Sequence, residues 1–111
     1  MVESSTPFDT LSRDTLQSIV EVADGATPVY VYSEEYLMQQ INTLKRCFQP
    51  EGSSTRIRYA MKALSNINIL KIIDREGLYF DCSSVYEVMR VIKAGIDPSK
   101  IELVTQELTK A

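Results

Sequence analysis

The sequence predicts an α/β fold built on a parallel sheet, and three observations predict it. Strand-like runs open at residues 56, 78 and 101, as "RIRYAM", "LYFDC" and "IELVT". Between them lie two stretches with helical spacing of apolar residues, "NINILKIIDREG" (66–77) and "SVYEVMRVIKAG" (84–95). The runs are short and apolar rather than cleanly alternating, as expected of strands buried on both faces. Strands that alternate with helices of this length imply right-handed crossovers and a parallel sheet.

The elements follow in order. In "DTLSRDTLQSIVEV" (9–22), Leu16, Ile19 and Val20 share one helical face with Leu11 a turn earlier, and Asp9 or Ser12 caps the start. "ADGATP" breaks the pattern, with Gly25 as a helix stop and Pro28 favouring an extended exit. "VYVYS" (29–33) is β-branched and aromatic and reads as a strand. Ser33 with Glu34 and Glu35 opens the next helix, whose Leu37, Ile41, Leu44 and Phe48 form a stripe expected to pack on a core. The loop "QPEGSST" leads into the first run of the repeating part. Asn66 is the expected cap and Gly77 the expected stop of the next helix, with Ile69, Leu70, Ile72 and Ile73 inward. Val85, Val88, Met89 and Ile92 are the expected inward set of the last helix, which Gly95 ends.

Composition narrows the function. The chain has 111 residues, 44% hydrophobic and 24% charged, enough for one small domain. A net charge of −3 with scattered basic residues argues against a nucleic-acid or anionic-membrane partner. No window approaches the roughly 18 apolar residues of a membrane span, and "MVESSTPFDT" has neither the basic nor the apolar part of a signal peptide. Cys47 and Cys82 are far apart and form no CxxC, so a reduced, cytoplasmic setting is the simplest reading. The absence of histidine makes a zinc site unlikely and excludes Ser-His-Asp or Cys-His catalysis within this chain.

In parallel α/β folds, functional groups gather at the carboxyl ends of the strands. Three polar clusters fall there: Lys62; Asp81 with Ser83 and Ser84; and Gln106 with Glu107. A lysine held among apolar groups becomes a nucleophilic amine suited to a Schiff base, and Asp81 could balance the resulting charge. On the residues alone a plainer reading stands beside it. Lys62 is then a snorkelling surface residue, Ser84 a helix cap, Asp81 and Glu87 acids at a helix start, Gln106 and Glu107 a solvated loop and Cys82 a small buried hydrophobe.

Four segments shift that balance: "TPVYVYS", "YAMKALSN", "GLYFDCSSVYEV" and "AGIDPSKIELV". In this order and spacing, over residues 27–105, they resemble the N-terminal part of the fold-type III pyridoxal-phosphate-dependent decarboxylases. That family acts on diaminopimelate, ornithine, arginine and carboxynorspermidine. "TPVYVYS" looks most like the diaminopimelate enzymes, and "FDCSSVYEV" as much like the ornithine enzymes. The resemblance makes Lys62 the Schiff-base lysine, in a Tyr-Ala-x-Lys-Ala-Asn pattern where Leu64 replaces the usual asparagine. It makes Asp81 a cofactor-site residue and Ser84 and Glu87 supporting residues. The cofactor it implies is pyridoxal 5'-phosphate, the reaction α-decarboxylation of a small amino acid with the pyridine ring as electron sink, and the full-length form a homodimer.

The resemblance also implies a partial (β/α)8 TIM barrel holding its first three strands, over residues 33–111. Residues 1–32, a helix and a strand, would belong to a second, β-rich domain. A complete barrel takes about 250 residues, so these 111 are expected to be an incomplete, inactive N-terminal piece. A pyridoxal-phosphate-binding homeostasis protein and a non-catalytic regulatory relative are the alternatives.

Overall fold

The computed structural model describes residues 11–106; Asp9, Glu107 and the other positions outside that range lie beyond the described residues. Two compact units divide between Gln39 and Gln40, within one helix.

The first unit contains α1 (Arg13–Ala23) and the start of α2 (Glu34–Cys47). Ser12 caps α1 by accepting the Thr15 amide at 3.1 Å. The turn after α1 takes left-handed backbone at Asp24 (φ 45°) and again at Gly25 (φ 73°). Residues 29–33 do not form the expected strand. They run as irregular chain, because a strand needs a neighbour's amides and carbonyls, and none of the described residues pairs with them. α1 buries none of its residues, and Leu16 and Val20 are exposed.

α2 opens at Ser33, whose hydroxyl accepts the Tyr36 amide at 3.2 Å. Its apolar stripe is buried only at Ile41, while Leu44 and Phe48 are exposed.

The second unit is the strand–helix repeat. β1 (Arg58–Ala60), β2 (Tyr79–Cys82) and β3 (Ile101–Leu103) form a parallel sheet in the order β1-β2-β3. Tyr59 pairs with Phe80, and Phe80 with Ile101. The crossovers are α3 (Ile67–Arg75) and α4 (Val85–Lys93), with a short 3-10 turn (Pro98–Lys100) before β3. Phe80 and Cys82 are fully buried on one face of the central strand, with Leu70, Ile73 and Val91 from the helices and Met61 beyond β1.

Both crossover helices end by the same device. Gly77 follows α3 at φ 78°, the Gly77 amide donates to Asp74 at 2.9 Å and the Leu78 amide to Ile73 at 3.2 Å. Gly95 follows α4 at φ 81°, with the Gly95 amide on Ile92 at 2.9 Å and the Ile96 amide on Val91 at 3.4 Å. This is the Schellman pattern, and the two residues at its hydrophobic positions are buried each time, Ile73 and Leu78 after α3 and Val91 and Ile96 after α4.

α4 departs from the expected inward set. Val91 is its buried residue, whereas Val85, Met89 and Ile92 are each about half exposed. The helix packs on β2 and β3 and also against α3, so its buried line is set by two neighbours at once rather than by the widest apolar face.

Candidate functional site

The carboxyl ends of β1 and β2 bring Lys62 and Asp81 onto adjacent strand ends. Ala60, the last residue of β1, pairs with Asp81 on β2. The ladder runs one step further, with the Met61 amide donating to the Asp81 carbonyl at 3.0 Å. The chain then turns over Met61–Ala63, closed by the Ala63 amide on the Ala60 carbonyl at 3.1 Å.

Met61 fills the buried place at this turn, and Lys62 is exposed. Of the two readings the residues left open for Lys62, an amine held among apolar groups and a side chain reaching water, the turn creates the second. Packing consumes the thioether, and the ammonium stem is left pointing away from the core.

Asp81 is half-buried, and its Oδ1 is buried without a hydrogen-bond partner. An acceptor in that state is costly and open to a donor from outside the described residues. Asp81 shares its sheet face with Tyr79, as alternation along a strand requires. Glu102, its neighbour on β3, is held by Arg58 at 2.5 Å across the sheet. The guanidinium groups of Arg56 and Arg58 lie 5.4 and 5.9 Å from the centre of the Tyr79 ring.

Ser83, Ser84 and Glu87 build the start of α4. The Ser84 hydroxyl accepts the Glu87 amide at 3.3 Å, and a Glu87 carboxylate oxygen accepts the Ser83 amide at 2.6 Å. This is a capping box shifted back by one residue, satisfying the Ser83 and Glu87 amides at this helix start. Cys82 lies directly before it. Burial, then the carboxylates of Glu87 and Asp81, push its thiol up to about 11. It is a neutral packing residue.

Of the third cluster, Gln106 is exposed, and Glu107 lies outside the described residues. Two contacts carry no local sequence signal. The Tyr59 hydroxyl donates to the Leu64 carbonyl at 2.8 Å, and Arg90 of α4 donates to the Ser65 hydroxyl at 2.9 Å. Sequence spacing does not reveal the second, since it joins residues 25 positions apart. Among the described residues no group of three His, Cys, Asp or Glu side chains could hold a metal ion, and no helix is long and apolar enough to cross a membrane.

A parallel α/β sheet thus carries, at the carboxyl ends of two adjacent strands, an exposed lysine and an aspartate with one buried oxygen lacking a partner, the end of such a sheet at which functional groups gather. Residues 34–110 match the family model described as the pyridoxal binding domain of pyridoxal-dependent decarboxylases, and the chain belongs to that family. Pyridoxal phosphate is the cofactor that goes with it.

Curated relatives agree. The chain is 40% identical over 75 residues to a diaminopimelate decarboxylase of Helicobacter pylori, covering 68% of this chain and 18% of that one. It is 36% identical over 83 residues to one of Methanothermobacter thermautotrophicus, covering 74% and 19%. It is 32% identical over 92 residues to one of Escherichia coli, covering 82% and 20%. The chain thus spans about a fifth of the length of these relatives.

Proposed function

We propose that these residues form the N-terminal, cofactor-binding part of a pyridoxal-phosphate-dependent amino-acid decarboxylase, with diaminopimelate or a close relative as substrate. The observation that carries the reading is the placement of Lys62 two residues past Ala60, the register partner of Asp81, so that both stand at the carboxyl ends of adjacent strands within the stretch that matches the pyridoxal-binding family. The relatives' shared name supports the choice of substrate.

The residues present fit the cofactor. Lys62 offers a solvent-accessible primary amine for its aldehyde, and Asp81 offers a buried acceptor that has no donor of its own. When bound, the cofactor supplies an electron sink for the charge left by loss of carbon dioxide. Lys62 would hold the cofactor through its side-chain amine. Asp81 would offer its unsatisfied Oδ1 as an acceptor at the neighbouring strand end. Ser84 and Glu87 keep the loop after Asp81 fixed by capping α4.

In the whole protein, residues 33–111 would open a (β/α)8 barrel and residues 1–32 would belong to a β-rich domain. That protein would be a cytoplasmic homodimer. A polypeptide of these 111 residues alone would not decarboxylate, because the relatives use about five times as much chain.

Borohydride reduction of the full-length protein with pyridoxal phosphate, followed by peptide mapping, tests the site. The label is expected on Lys62. Label on Lys71 or Lys93 instead would overturn the assignment. Release of carbon dioxide from diaminopimelate, compared with ornithine and arginine, tests the substrate.

A further inference from the structure

The turn that carries Lys62 is tied down on both sides, by contacts from three different elements. On one side Met61 is 1% exposed and bonded to Asp81 of β2. On the other side Tyr59 of β1 donates to the Leu64 carbonyl, and Arg90 of α4 donates to the Ser65 hydroxyl. Asn66 then caps α3 through the Asn68 amide at 2.9 Å.

A lysine that merely snorkels needs none of this, since its long stem reaches water from almost any surface backbone. An amine that must meet a carbonyl carbon does need it, because bond formation depends on near-attack geometry. We propose that Tyr59 and Arg90 are positioning residues for Lys62: they clamp the β1–α3 turn through Leu64 and Ser65, and so fix where the Lys62 amine stands relative to Asp81. The proposal rests on reading Lys62 as the cofactor lysine. Tyr59 acts through its hydroxyl, from within the strand that launches the turn. Arg90 acts across the sheet's two crossovers. It joins the Lys62 turn to the helix whose first turn holds Ser84 and Glu87, so the loops after β1 and β2 keep one geometry.

The test uses Tyr59→Phe, Arg90→Gln and Ser65→Ala in the full-length protein. The readout is the rate of imine formation with pyridoxal phosphate across pH, trapped by borohydride and mapped peptide by peptide. Lys71 and Lys93 serve as internal standards for general amine reactivity. Each lost hydrogen bond is expected to slow trapping at Lys62 about three- to tenfold, with the standards unchanged. Arg90→Lys should recover part of the rate, because an ammonium can still donate to Ser65. Ser65→Ala removes only the acceptor and keeps the test open if a larger change fails to fold. Unaltered trapping at Lys62 in all three variants would refute the clamp while leaving Lys62 as the cofactor lysine. Label on Lys71 or Lys93 in the unmutated protein would remove both.

Discussion

The Met61 amide donates to the Asp81 carbonyl at 3.0 Å, one step past the last paired residues of β1 and β2. That bond makes the amine-bearing turn and the carboxylate-bearing strand end a single unit. Lys62 follows its donor directly, and the side chain of its acceptor is the one with an orphaned oxygen.

Asp81→Asn tests what that oxygen is for. A buried acceptor without a partner costs on the order of 1–3 kcal/mol, more if charged. Removing the charge should therefore leave the cofactor-free protein as stable or more stable, by about 1 kcal/mol, in denaturant unfolding. The same variant should trap pyridoxal phosphate at Lys62 more slowly. A marked loss of stability would mean that Oδ1 is satisfied in the folded protein.

Cys82 predicts a pH dependence. Its thiol keeps its proton in the folded state up to about 11, against an ordinary 9.0. Between those values the unfolded chain has lost that proton and the folded chain has not, so raising the pH favours unfolding. The Cys82 contribution is thus fully present below 9.0 and lost as the pH rises towards about 11. Denaturant midpoints across this range should fall more steeply for the unmutated protein than for Cys82→Ala. At about pH 8, iodoacetamide should modify the exposed Cys47 and spare Cys82 until the protein unfolds.

Gly77→Ala isolates backbone strain. Nothing lies within 4 Å of an added Cβ, so no clash arises, yet φ is 78°. The cost should be about 1–2 kcal/mol, read from chemical denaturation. Gly77→Asn should cost less, since asparagine tolerates left-handed backbone.

Ser84→Ala removes the α4 cap and should lower stability by about 1 kcal/mol. Glu87→Ala should speed hydrogen exchange at the Ser83 amide, whereas Glu87→Gln, which keeps an acceptor, should change it little. Equal exchange in the two variants would show that the contact does not protect that amide.

Much of the second unit was legible because its signals are local. Asn66, Ser84, Gly77 and Gly95 stand where a helix must start or stop, and each does so through bonds to residues within a few positions. The three runs that read as strands became a parallel sheet in chain order, as the intervening helices require. The run at 29–33 misled for the opposite reason. Its β-branched and aromatic residues favour an extended chain, but a strand is a relation to a neighbour, and the described residues provide none. Periodicity likewise marked Met89 and Ile92 as inward, whereas simultaneous packing of α4 on the sheet and on α3 selected Val91.

By itself, the sequence determined the order of elements in the second unit, their caps and the strand ends at which Lys62 and Asp81 fall, because those depend on residue type and short spacing. Only the tertiary structure decided that Met61 rather than Lys62 is buried, that Asp81 keeps an oxygen without a partner, and that Tyr59 and Arg90 close on the turn between them. Those outcomes depend on which side chains compete for the same space and the same donors, and that competition exists only once distant parts of the chain have met.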